Sequence, residues 1–216
     1  MKISVLIFMQ ILLSAPLCAQ KDVTQFLGIP VDGTKSEMIK KLKRKGYTTC
    51  PYDKNALLGE FNGGKVRIYI HTDNNKVYRI AVCDANGTSE SNIKIRFNNL
   101  CRQFENNKKY ISLSDNTIPE DEDISYGISV KKKRYEAVFY QKNAGEFGDF
   151  LLRKYTEEQV SNLTEEEVQK EQNLYERDGF DKRKVWFVID DEHYKGGYYI
   201  VMFYVNEYNE ANGEDL

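Results

Sequence analysis

Histidine is nearly missing from this 216-residue chain: His71 and His193 are the only two. Chemistry built on a histidine base or on clustered imidazole ligands is therefore confined to two positions. The chain also lacks a Gly-x-Ser-x-Gly elbow, a phosphate-cradling glycine loop and a dinucleotide fingerprint, the common signatures of hydrolases and nucleotide enzymes. Its four cysteines, Cys18, Cys50, Cys83 and Cys101, include no Cys-x-x-Cys pair for zinc or redox work. After residue 13 no apolar run approaches the ~20 residues that a membrane-spanning helix needs. Charge of one sign is lacking too, with 31 basic against 33 acidic residues and a net charge of −2. No field that would attract nucleic acid or an anionic membrane follows from such a balance.

What is present begins with an address. Lys2 precedes an apolar run over residues 3–13, then Ser14, Pro16 and the small residue Ala19 directly before Gln20-Lys21-Asp22. Residues 1–19 thus read as a secretory signal peptide, and the mature protein is expected to be exported, periplasmic or extracellular. A lipoprotein leader would instead put a lipid on Cys18, but Leu17 stands where that cleavage wants a small residue. Three cysteines remain after cleavage, which allows one intramolecular disulfide at most. Cys101 falls on the apolar stripe of an expected helix, where it would act as a small hydrophobe. Cys50 and Cys83 sit at strand edges and are the candidate pair for a bridge.

The remaining pattern predicts one α+β domain over residues 20–206, an antiparallel sheet with helices on one face. Thr34-Lys35-Ser36-Glu37 forms a capping box that opens a helix over 35–45, with Gly46 placed to end it. Strands over 57–61, 66–71 and 76–83 follow, joined by Asn62-Gly63-Gly64 and Asp73-Asn74-Asn75, turns suited to tight hairpins. In the middle strand Val66, Ile68 and Ile70 alternate with Arg67, Tyr69 and His71, so that one face packs and the other is wetter. A second helix over 91–105 carries Ile93, Phe97, Leu100, Cys101 and Phe104 at helical spacing. Further strands are expected at 109–113, 124–130, 134–141, 185–190 and 198–206. The chain thereby repeats a helix-plus-meander unit, about 26–83 and 89–206, with a charged helical insertion at about 146–178 that has its own capping box at Thr164–Glu167. Both faces of residues 198–206 are apolar, which places that strand inside the sheet. Residues 207–216 lack periodicity and read as a frayed tail.

Candidate chemistry is sparse, and each candidate has a plainer explanation. His193 among Asp190, Asp191 and Glu192 could ligate a metal, but no second histidine stands at ligand spacing, and an acidic hairpin turn accounts for it. Glu120-Asp121-Glu122-Asp123 offers oxygen ligands for calcium without the alternating acids and central glycine of an EF-hand loop. Paired carboxylates for glycoside cleavage depend on distances that the fold alone sets. Lys40, Lys41, Lys43, Arg44 and Lys45 read as a solvated helix face, and Lys131-Lys132-Lys133-Arg134 as a hairpin turn. Asn86-Gly87-Thr88 and Asn162-Leu163-Thr164 fit the glycosylation triplet. Fifteen tyrosines are the oddity. On an exposed sheet face Tyr69, Tyr78, Tyr140 and Tyr199 would offer rigid area with a polar tip for a partner protein or a carbohydrate. No catalytic residue, metal site or cofactor is assigned.

Phe26-Leu27-Gly28-Ile29-Pro30-Val31-Asp32-Gly33-Thr34, the Gly46-Tyr47 helix exit, Gly59-Glu60-Phe61-Asn62-Gly63 and Lys76-Val77-Tyr78 together resemble uncharacterised exported proteins of Bacteroidetes bacteria. The helix-plus-meander order is similar to that of the beta-lactamase inhibitor protein and of small outer-membrane assembly lipoproteins. Those groups bind other proteins through the exposed sheet face. The resemblance implies a non-catalytic binding or interaction module of unknown ligand, or an inhibitor or chaperone-like partner of an exported enzyme or envelope complex. An unrecognised hydrolase is the third expectation. The chain departs from the inhibitor in lacking its paired disulfides.

Overall fold

The computed structural model describes residues 22–143, 147–192 and 197–210, and of Glu192 the backbone alone. The segment read as a signal peptide, His193 and the last six residues lie outside that range, so the reading of His193 as part of an acidic hairpin turn does too.

The chain opens with a two-stranded ribbon, β1 (Gln25–Phe26) and β2 (Ile29–Pro30), turned by Leu27 and Gly28, both at positive φ. Helix α1 (Lys35–Arg44) begins at the predicted capping box: Thr34 accepts from the Glu37 amide, and the Glu37 carboxylate accepts from the Thr34 amide at 3.0 Å. Strands β3 (Thr48–Thr49), β4 (Ala56–Phe61), β5 (Gly64–Asp73) and β6 (Lys76–Asp84) then form an antiparallel meander. Helix α2 (Glu90–Asn106) precedes a second meander of β7 (Tyr110–Ser112), β8 (Glu136–Gln141), β9 (Lys184–Glu192) and β10 (Gly197–Val205). The two meanders join through their last strands, giving an eight-stranded antiparallel sheet in the order β3-β4-β5-β6-β10-β9-β8-β7. Strand β10 is therefore interior, as its two apolar faces require.

Helical segments leave the second meander twice. Between β7 and β8 lies α3 (Ile124–Ser129), where the sequence predicts a strand over 124–130. Ile124, Tyr126 and Ile128 imitate strand alternation, but Asp123 caps the Tyr126 amide at 2.7 Å and Ile124 is buried from the first turn. The lysine-rich segment 131–134 consequently joins a helix to a strand rather than two strands. Between β8 and β9 come α4 (Phe147–Leu152), α5 (Glu157–Ser161) and α6 (Glu165–Arg177), with the expected capping box at Thr164 and Glu167. These three helices share a small apolar cluster of Phe150, Leu151 and Tyr175. Within it the buried Glu171 is held by Lys154 at 2.7 Å and by the Tyr155 hydroxyl at 2.9 Å.

The main core lies between one sheet face and α1, α2 and α3. Met38 and Leu42 from α1, and Ile93, Phe97, Leu100, Cys101 and Phe104 from α2, meet Ile68, Ile80, Met202, Phe139 and Phe187 from the strands. Phe104 stacks on Phe139 with ring centroids 4.7 Å apart, and the Phe97 edge meets Phe187 at 5.0 Å. Arg96 fixes α2 to the sheet by a bidentate pair with Asp84, at 2.8 and 2.6 Å, while Asp84 also accepts the Ile200 amide at 3.2 Å. Past β10 residues 207–210 stay attached, where the sequence predicts fraying, while the rest of that tail lies outside the described residues. The Asn209 amide donates to Asp32 at 2.8 Å and to the Val77 carbonyl at 2.9 Å.

All three described cysteines are free thiols. Cys101 is fully buried in the core, as expected of a small hydrophobe. The Cys50–Cys83 bridge does not form, for a reason of register. Cys50 follows β3 at one sheet edge and Cys83 lies on β6, three strand spacings away, about 14 Å at ~4.8 Å per spacing. A disulfide tolerates Cα separations up to about 7 Å.

Candidate binding face on the open side of the sheet

Strand alternation leaves every second side chain on the sheet face opposite the helices. Tyr69, Ala81, Phe203, Trp186 and Val138 form one continuous row across β5, β6, β10, β9 and β8. Arg67, Cys83, Val201, Val188 and Glu136 form the neighbouring row. A bulge between His71 and Thr72 adds one residue to β6, so that Tyr78 and Arg79, consecutive in sequence, both reach this face.

Four of these side chains and Arg134, just before β8, stack into a ladder. The Arg79 guanidinium lies 5.2 Å from the Tyr78 ring centroid and 5.5 Å from that of Phe203. Phe203 stacks on Trp186 at 4.2 Å and 25°, and Arg134 covers the far side of Trp186 at 5.0 Å. Glu136 closes the row by pairing with Arg134 at 2.8 Å. The Nε atoms of Arg67 and Arg79 are buried and have no hydrogen-bond partner.

All four sequence-predicted tyrosines belong to this face. Tyr199 donates to Asp190 at 3.1 Å, and burial together with that carboxylate pushes its hydroxyl up to about 12. Tyr69 is hydrogen-bonded to Asp53 and is likewise raised, chiefly by burial. Tyr78 lies beside His71, ring centroids 6.3 Å apart. Burial first, then Arg79 and Lys35, lowers the His71 pKa and keeps the imidazole neutral at pH 7. Tyr140 is packed against Phe180 of a short 3-10 helix (Phe180–Lys182), centroids 4.7 Å apart. The candidates are thus spread along the face, and the ladder between them is made of residues that the sequence did not single out for binding, apart from Tyr78. Arg67 carried a visible signal, the alternation with Val66, Ile68 and Ile70.

A second concavity, about 950 Å³, lies on the helical side between the β1–β2 ribbon, the end of α2 and α6. Its floor holds Tyr110 and Tyr204, which share a hydrogen bond, and burial raises both hydroxyls. The Gln141 amide donates to Tyr110 at 3.2 Å and exchanges two bonds with the Gln25 backbone, at 2.8 and 2.7 Å. Lys142 and Glu176 pair at 2.7 Å on its wall. The polar groups of this floor therefore bond one another.

The acidic loop at 120–123 has structural work. Glu122 pairs with Lys133 at 2.7 Å and accepts from the Tyr135 hydroxyl, which together hold its carboxyl below the ordinary range. Among the described residues no three His, Cys, Asp or Glu side chains gather to hold a metal ion, and no helix is long and apolar enough to cross a membrane.

No protein-family model matches this sequence, and neither a curated protein nor a solved structure matches it.

Proposed function

We propose that this chain is an exported, non-catalytic binding or interaction module whose ligand docks on the open face of the eight-stranded sheet. The observation that carries the reading is the ladder together with Arg67 beside it: three arginines and three aromatic rings on one sheet face, with two buried guanidinium nitrogens left without partners. Such groups cost stability where they stand and gain from a ligand that brings acceptors. A rigid sheet holds them in place without ligand, so little ordering entropy is lost on binding. An inhibitor or chaperone-like partner of an exported enzyme or envelope complex is a narrower form of the same reading. The leader-like residues 1–19 support the extracytosolic site of action.

The cavity favours a different reading, an unrecognised hydrolase working beneath the β1–β2 ribbon. Retention of ligand from an envelope extract separates the two. Tyr69→Ala with Tyr199→Ala should abolish retention, while Lys108→Ala with Lys109→Ala, on the cavity rim, should preserve it. The opposite pattern overturns the sheet-face reading.

A further inference from the structure

Resting on the sheet-face reading, we infer that the ligand is an extended acidic segment of a partner protein, with Arg67 and Arg79 each taking one carboxylate. Three acids of this face are already engaged, and a fourth, Glu60, stands opposite Lys65. Asp190 accepts from Tyr199, Glu136 pairs with Arg134, and Asp53 is hydrogen-bonded to Tyr69. Arg67 and Arg79 form no ion pair among the described residues. Neither does Lys184, which stands on the same face opposite Tyr140. With Glu136 paired to Arg134 and Glu60 opposite Lys65, the described charges left on this face are Arg67, Arg79 and Lys184 against Asp53 and Asp190, a positive balance on a chain that is slightly acidic as a whole.

The rings argue against a sugar. A carbohydrate stacks its C–H face on an open aromatic face, and here those faces are filled. Phe203 lies between Arg79 and Trp186, Trp186 between Phe203 and Arg134, and Tyr140 against Phe180. A filled ladder turns its edges outward, and the edges of aromatic rings, like those of guanidinium groups, carry partial positive charge. Carboxylates and peptide carbonyls are the natural acceptors for such a surface.

Register adds a spacing. Arg67 stands opposite Cys83, and Arg79 lies four residues before Cys83 on the same strand. The two guanidinium roots are therefore displaced by about 13 Å along the strand direction, at ~3.3 Å per residue. An extended peptide lying along the strands places side chains i and i+4 on one face at that same displacement.

The test uses purified protein and three probes: a nine-residue β-prone peptide with Glu at positions 3 and 7, its isomer with Glu at positions 3 and 4, and polygalacturonate. The first peptide should bind most tightly, and its affinity should fall as salt rises. Arg67→Gln with Arg79→Gln should weaken it at least tenfold with the circular dichroism spectrum unchanged, whereas Lys40→Gln with Lys41→Gln on exposed α1 should leave it intact. If the glutamine pair fails to fold, Arg67→Glu with Arg79→Glu should instead bind the peptide carrying Lys at positions 3 and 7. No binding of either peptide, or binding indifferent to Arg67 and Arg79, overturns the inference. Polygalacturonate binding lost in Trp186→Ala would overturn it while preserving the sheet-face reading; ligand retention that follows the cavity variant overturns both.

Discussion

The rings of Trp186 and Phe203 lie 4.2 Å apart and 25° from coplanar on the side of the sheet opposite the helices. Trp186 is the only tryptophan of the chain, so its fluorescence reports on that face alone. Phe203→Ala should red-shift the emission and lower stability by about 2 kcal/mol, a half-buried ring lost together with its stacking partner. Occupation of the face should protect Trp186 from acrylamide quenching. Quenching that stays the same under saturating ligand would place the ligand elsewhere.

Replacing glycine by alanine inside a helix ordinarily stabilises by up to ~1 kcal/mol. Gly127 in α3 should do the reverse, because a Cβ there would collide with the Tyr135 hydroxyl. That hydroxyl cannot retreat without releasing Glu122. Gly127→Ala is expected to cost about 2 kcal/mol in urea unfolding, as overpacking does, and Tyr135→Phe in the same chain should return part of the loss.

Arg96 and Asp84 join helix to sheet by two parallel bonds with little exposure. Removing the guanidinium leaves a buried carboxylate beside the Ile200 amide. Arg96→Ala should destabilise by about 2 kcal/mol, below the 3–5 kcal/mol of a fully buried pair because water reaches the arginine. A change under ~0.5 kcal/mol would mean that α2 is held by its apolar stripe alone.

Burial pushes the Cys83 thiol up to about 11 and the Cys101 thiol up to about 12. The thiolate is the reactive species, so at pH 8 Cys83 should alkylate roughly a hundredfold, and Cys101 roughly a thousandfold, more slowly than in denatured protein. Intact mass before and after reduction should be identical. A loss of two mass units on oxidation that maps to Cys50 and Cys83 would contradict the strand order.

Acid should unfold this protein through its tied carboxylates. Lys154 and Tyr155 hold Glu171 below the ordinary range, Lys133 and Tyr135 hold Glu122, and the Thr34 and Thr164 caps hold Glu37 and Glu167. A carboxyl depressed on folding contributes stability that is complete above its unfolded pKa, about 4.3, and is lost as pH falls through its folded pKa. The melting temperature should hold steady from pH 7 to about 5 and decline below about 4.5. Glu171→Gln should shallow that decline, and an unchanged slope would remove Glu171 from the account.

Local signals were enough for much of the fold. The capping box at Thr34 and Glu37, the α2 stripe from Ile93 to Phe104, the Asn62-Gly63 turn and the doubly apolar β10 each state their structure within a dozen residues. Segment 124–129 misled because six residues are too few for helical periodicity to outweigh Ile-x-Tyr-x-Ile alternation. Its conformation is decided by the Asp123 cap and by contact with Tyr135, beyond the segment. The ladder was illegible for a related reason. Arg79, Arg134, Trp186 and Phe203 come from four strand regions, and only the pairing of β6 with β10 and of β10 with β9 brings them together. The tyrosines could be nominated singly from composition and alternation; their shared surface could not.

Strand β10 is the latest strand in chain order, yet it sits at the seam between the two meanders. While a ribosome is still making the chain, β6 and β9 each present an edge of unpaired N–H and C=O groups with no mate. Neither half-sheet can be sealed until the final strand has emerged and threaded between them. The polypeptide is therefore obliged to remain open until translation is nearly over, which makes premature termination before residue 197 a recipe for edge-to-edge clumping.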